Sequence, residues 1–329
     1  MPVKVMTSPP ASDHRSDSSP IILSHQKPAF DRLVAIGRAC FGVQRQTLPI
    51  RLRTNSLIVG PTGTGKTYLA SAVADELGVG GRGFLSLSVS NWVLLGCTKR
   101  GAQNTWTTIR KFLHRAKNEE GVVIFLDELD KLNGASDWQQ FQRTEVFQLL
   151  DFTLPTGLVD EDDDPIGEAE IAVAQGVLAN RTLIIGAGAF QSLWEARATA
   201  NIGFQESSKE LSLPSHDELA NTLPRELVNR FRRELLVLPQ LQRRDYIKML
   251  ESTAVRVPSY LRDGFLRIGH ESISEAIEMN QGCRFLEDTL LESILAERRS
   301  LKVIPTQEKQ HSRQTEIPFE NETDSPSST

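Results

Sequence analysis

The sequence predicts an α/β fold: a five-stranded parallel sheet with helices on its faces, followed by a small all-helical domain. Three observations carry this. Between about residues 21 and 239, short apolar runs alternate with helical patterns, as in a parallel sheet joined by crossover helices. One run, Val122-Val123-Ile124-Phe125-Leu126, is continuous and rich in β-branched and aromatic residues, as a strand covered on both faces must be. After Pro239 only helical periodicity remains.

Taken in order, residues 27–42 predict a first helix, with Phe30, Leu33, Val34, Ile36 and Phe41 on its buried side. Leu57-Ile58-Val59 is the first strand and the alternating run Phe84–Val89 the second. Thr105–Lys117 reads as a helix that turns Trp106, Ile109, Phe112 and Leu113 inward. Val122–Leu126 is the third strand, and Phe141–Leu150 is helical. Thr182–Ile185 is the fourth strand and Leu235–Leu238, stopped by Pro239, the fifth. Helices are then expected over 240–251, 271–280 and Arg284–Arg299, the last with Leu286, Leu290, Leu291, Ile294 and Leu295 at helical spacing. Residues 155–180 and 200–222 break the pattern as long polar loops. The first holds the run Asp160-Glu161-Asp162-Asp163-Asp164, read as a solvated loop in preference to a cation site. The expected organisation is a tail over 1–20, an α/β domain over 21–239, a helical domain over 240–302 and a second tail over 303–329. Both tails are disordered by composition.

The chain has 329 residues and a formal charge of −5, from 37 Lys+Arg against 42 Asp+Glu. That balance argues against a general nucleic-acid surface. Cys40, Cys97 and Cys283 are far apart in sequence and form no CxxC, which supports neither a disulfide framework nor a zinc site and favours a reducing compartment. No apolar run approaches the roughly 20 residues needed to span a bilayer. The N-terminus has no apolar core of a secretion signal. The expectation is a cytoplasmic protein with no membrane partner.

The chemistry is concentrated in Gly60-Pro61-Thr62-Gly63-Thr64-Gly65-Lys66-Thr67, followed by Tyr68. Strand, glycine loop and helix in that order form a P-loop. Its backbone N–H groups surround phosphate, and the helix N-terminus adds partial positive charge. Lys66 is expected to reach the β- and γ-phosphates of ATP, and the Thr67 hydroxyl to bind Mg²⁺. The third strand delivers Asp127-Glu128. Asp127 is expected to hold Mg²⁺ through water and Glu128 to act as general base on the attacking water. Asp130 reads as structural.

With these motifs, Gly186-Ala187-Gly188-Ala189-Phe190, Leu223–Phe231 and Gly282-Cys283-Arg284 occur in the order found in AAA+ ATPases. The chain resembles the ClpX-type unfoldase subunit of the Clp protease over roughly residues 20–300. The resemblance implies ATP hydrolysis with Mg²⁺ in a homo-oligomeric ring, usually a hexamer, acting on protein substrates. It assigns Arg230 as an arginine finger reaching a neighbouring subunit's γ-phosphate, and Arg284 as the sensor 2 residue contacting phosphate from the lid. It implies no polar sensor 1, since Gly and Ala occupy the end of the fourth strand. Residues Ile21–Gln26, Ile22-Leu23 above all, are the expected bed for adenine.

The chain departs from the family in three places. The family's N-terminal zinc domain has no counterpart here. Where the family has an aromatic–aliphatic–Gly pore loop, this chain has Leu94-Leu95-Gly96, and the competing reading is that Trp92, Val93 and Leu94 pack in the core. Ile202-Gly203-Phe204 lies where the family docks on a ClpP-type peptidase, with a loop tucked onto the body as the alternative. Two functions follow: a ring ATPase that remodels or unfolds proteins, or a nucleotide-switched helper ATPase that assembles on a protein or DNA partner without threading.

Overall fold

A computed structural model describes residues 20–41, 48–50, 52–96, 103–134, 136–158, 166–194 and 214–302. Its centre is one sheet of five parallel strands: β1 (Ser56–Val59), β2 (Phe84–Ser88), β3 (Val122–Asp127), β4 (Thr182–Gly188) and β5 (Leu235–Val237), in the order β2-β3-β4-β1-β5. β1 therefore lies between β4 and β5, and its C-terminal end opens where open parallel sheets bind ligands.

Side-chain alternation along the strands divides the core in two. Leu57, Val59, Ile124, Leu126 and Ile184 face one side, where α3 (Thr105–Arg115), α4 (Asp137–Leu150) and α5 (Glu168–Arg181) cover them. Ile58, Val123, Phe125, Leu183 and Ile185 face the other, against α1 (Lys27–Phe41) and α2 (Lys66–Glu76). Two short helices, α6 (His216–Thr222) and α7 (Arg225–Val228), lead into β5. Beyond it, α8 (Arg243–Ala254), α9 (Ser259–Glu278) and α10 (Arg284–Lys302) close around Tyr246, Met249, Phe265, Ile273 and Phe285. Among the described residues, no helix is long and apolar enough to cross a membrane.

Several boundaries differ from the sequence expectation. The 155–180 stretch is not a continuous loop, because α5 occupies Glu168–Arg181. That helix buries only Ala174, Val177 and Leu178, too narrow a stripe to read as periodicity. It is held to α3 by an ion pair between buried Arg110 and Glu170. The acidic run at 160–164 lies outside the described residues. α4 starts four residues earlier than expected because Ser136 and Gln139 form a capping box. Within 200–222, residues 216–222 are helical, again behind a capping box, from Ser215 and Glu218. α9 runs over 20 residues where only its second half was legible.

Candidate active site

The loop after β1 is shaped by glycine. Gly63 and Gly65 have φ of 83° and 81°, a left-handed backbone that glycine adopts without steric cost. A Cβ on Gly60 would come within 2.7 Å of the Leu238 carbonyl, and one on Gly63 within 2.6 Å of the Gln281 carbonyl. The loop is thus clamped between the end of β5 and the turn before α10, where the Cys283 N–H donates to the Gly63 carbonyl at 2.7 Å. Buried Gln26 donates to the Thr64 carbonyl at 3.1 Å from the other side.

α2 begins at Lys66, so its unsatisfied N–H groups face the loop. Lys66 is 9% exposed, and its ammonium donates to the Gly60 and Pro61 carbonyls at 2.7 and 2.9 Å. Burial pushes its pKa below the ordinary lysine value, opposed by the charges of Asp127 and Asp130. The Thr67 hydroxyl donates to Asp127 at 3.1 Å. The next residue, Glu128, is left-handed at φ 61°, a conformation costing a non-glycine residue about 1–2 kcal/mol. That turn sends its carboxylate back to β2, where Ser88 donates to it at 2.5 Å. This bond and a second from Ser90 hold the carboxyl below its ordinary pKa. Strain of this kind collects at functional positions.

These groups line one cleft of about 460 Å³, with Lys66, Thr67, Tyr68, Asp127, Glu128 and Arg284 on its walls. The donor set fits Mg²⁺-ATP: a cradle that side chains would fill, the buried Lys66 ammonium, and the Thr67 hydroxyl beside the Asp127 carboxylate. Among the described residues, no group of three His, Cys, Asp or Glu could hold a metal. Mg²⁺ suits a site where few protein groups bind it, because substrate phosphates and water complete its octahedron. Ile22, Leu23 and His25 face Asp245 and Lys248 of α8 across a cavity of about 220 Å³, and the Ile21 N–H donates to the Tyr68 hydroxyl at 2.7 Å.

The model of "ATPase family associated with various cellular activities (AAA)" matches residues 56–188. Residues 56–188 form an AAA ATPase domain. Curated relatives match shorter stretches. The peroxisomal ATPase PEX1 of Dictyostelium discoideum is 36% identical over 89 residues, 26% of this chain and 6% of that protein. The ATP-dependent zinc metalloprotease FtsH of Paraburkholderia phymatum is 39% identical over 88 residues, 27% and 12%. FtsH of Rubrobacter xylanophilus is 41% identical over 85 residues, 26% and 12%. The chain thus aligns with a small part of each relative, far less than two thirds of its length.

Two further expectations meet the structure outside the cleft of the AAA domain. Arg230 is not among the cleft's lining residues; it pairs with Asp151. Leu94 is a correction. It is 3% exposed and packs in the same core as Trp92 and Trp106, whose rings meet edge to face at 6.0 Å. A residue so buried cannot replace the gripping aromatic of a pore loop. Leu95 is half-buried, its N–H bound to Glu145 at 2.8 Å, and Gly96 follows in a turn. Ile202-Gly203-Phe204 lies outside the described residues. Ser88 was missed: it reads as one polar position in an alternating strand, and only the pairing of Ser88 with Asp127 in parallel register brings it to Glu128.

Proposed function

We propose that this chain is a Mg²⁺-dependent ATPase that works as a homo-oligomeric ring and remodels protein substrates. The observation that carries this is the joining of the P-loop to β3 through Thr67 and Asp127, with the Glu128 carboxylate held beside them by Ser88. Lys66 leaves its own loop carbonyls for the β- and γ-phosphates. Thr67, and Asp127 through water, would hold Mg²⁺, which would supply charge neutralisation at the phosphate oxygens. Glu128 orients a water for in-line attack on the γ-phosphorus and takes its proton. The bond from that phosphorus to the ADP oxygen breaks as the new one forms. Arg284, on the first turn of α10, contacts phosphate and couples the helical lid (residues 240–302) to the nucleotide.

Arg230 completes a neighbouring copy's site. Its carbonyl accepts from Asn55, the residue before β1, whereas the P-loop follows β1. Five residue steps, from Asn55 along β1 to Gly60, separate these ends by about 16 Å. That span, together with its pairing to Asp151, supports service to another subunit.

The finer reading is a ClpX-like unfoldase, in a hexamer and with a ClpP-type peptidase as partner. It rests on the five sequence stretches already named and on their order. A second reading, a nucleotide-switched helper ATPase without threading, is favoured by the burial of Leu94.

Glu128→Gln tests the common core. It is expected to bind Mg²⁺-ATP while phosphate release falls by about 100-fold or more. Normal turnover by this variant would overturn the assignment. Used as an ATP-state trap with purified candidates, it separates the two readings: retention of a ClpP-type peptidase supports the first, and retention of DNA the second.

A further inference from the structure

The surroundings of Arg230 say more than its distance from its own nucleotide cleft. Its Nε and Nη2 both donate to the Asp151 carboxylate, at 2.9–3.1 Å, and Nη1 donates to the Glu226 carbonyl at 2.7 Å. The guanidinium carbon sits 4.2 Å from the centre of the Phe147 ring, one helical turn before Asp151 at the end of α4. Asn55 ties the two segments together, donating to the Leu150 carbonyl at 2.8 Å and to that of Arg230 at 3.1 Å.

A guanidinium has two edges that can make paired bonds. The carboxylate fork occupies the Nε–Nη2 edge, and the aromatic face fixes the plane. With three of five N–H groups committed, a hydrogen remains on each of the two terminal nitrogens for a phosphate oxygen. A long, flexible side chain is thereby reduced to one orientation before it meets a ligand, which lowers the entropic cost of binding.

We propose that Asp151, with Phe147 stacked on the same guanidinium, is a positioning residue that aims Arg230 at the nucleotide of the adjoining subunit. This rests on the reading of Arg230 as a finger acting between copies. In this role Asp151 acts through the Arg230 of its own chain.

Mixed oligomers of the full chain test this. Arg230→Ala subunits keep an intact Glu128 but lack the finger; Glu128→Gln subunits keep the finger but lack the base. Mixed, they are expected to recover ATP hydrolysis that neither has alone. Asp151→Asn keeps the size of the side chain and removes its charge. Placed in the Glu128→Gln chain, which donates the finger, it is expected to cut the recovered kcat by about 10–100-fold, the cost of a misaimed contact. Placed in the Arg230→Ala chain, it is expected to change the rate less than twofold. Equal loss in both placements, or no loss in either, would overturn the positioning role. Failure of the parent mixture to recover activity would instead overturn the reading of Arg230 itself. Phe147→Leu in the finger-donating chain is expected to give a smaller loss in the same direction.

Discussion

Ser88 donates a 2.5 Å hydrogen bond to Glu128 across the junction of β2 and β3. The bond joins the proposed general base to a neighbouring strand and holds its carboxyl below the ordinary glutamate value. Ser88→Ala removes the largest cause of that shift, so the Glu128 pKa rises. The acid limb of the kcat/KM profile for ATP is then expected to move to higher pH. The linkage has the same sign. A depressed carboxylate contributes stability above its unfolded value near 4.5, lost as pH falls through the folded one. Acid unfolding of the variant is expected to start at higher pH. Superimposable profiles would disconnect Ser88 from the base.

Lys66 sits against two carbonyls of its own loop. Lys66→Ala removes a charged donor from the phosphate site, a loss of about 1.5–3 kcal/mol or about 10–100-fold in ATP affinity. Isothermal titration with Mg²⁺-ATP measures it. Since burial lowers the Lys66 pKa, wild-type affinity should decline on the alkaline side at lower pH than an exposed lysine would allow. Unchanged affinity in the variant would remove Lys66 from the phosphate site.

Gly282 has φ 62°, and a Cβ there would collide with the Gly63 carbonyl. Gly282→Ala should therefore push the turn before α10 off the P-loop and break the Cys283–Gly63 bond. Overpacking of this kind costs about 1–3 kcal/mol, and calorimetry is expected to show a lower Tm with weaker nucleotide binding. A wild-type Tm would mean that the loop and the helical lid are not tightly joined.

How much of this was legible in the sequence varied with the kind of signal. The P-loop was, because Gly60–Thr67 fixes its own geometry through local spacing. So were the apolar strands. α5 was not, since three small or aliphatic buried residues leave too weak a stripe. The first half of α9 was hidden by Gly264 and Gly269, helix-weakening residues in a charged stretch. Gly269 is there because a Cβ would collide with Leu250 of α8. Ser88 and Asp151 act only through register and tertiary contact, 40 and 79 residues from their partners. Trp92 and Leu94 are core residues at 3% exposure while Val93 between them is 37% exposed, a difference that a run of three apolar residues does not encode.

Leu94→Ala distinguishes a core residue from a gripping one. Truncating a buried leucine costs about 2–5 kcal/mol, so urea denaturation is expected to show a large loss of stability. A substitution that left stability intact while impairing only the handling of a protein substrate would restore Leu94 to a pore loop.

Cys283 lines the nucleotide cleft, but burial pushes its thiol up to about 11. At pH 8 only about a thousandth of it is then thiolate, against about a tenth of a cysteine at the ordinary value near 9. Alkylation of Cys283 by iodoacetamide, followed by peptide mass spectrometry, is expected to be slow in the native protein and to accelerate on unfolding. The raised value also sets a stability window. The neutral thiol contributes stability that is complete below its unfolded value near 9 and is lost as pH rises through about 11. Wild type should lose stability over that interval relative to Cys283→Ala, each measured by urea denaturation. Parallel pH dependence of the two proteins would show that Cys283 keeps an ordinary pKa in the fold.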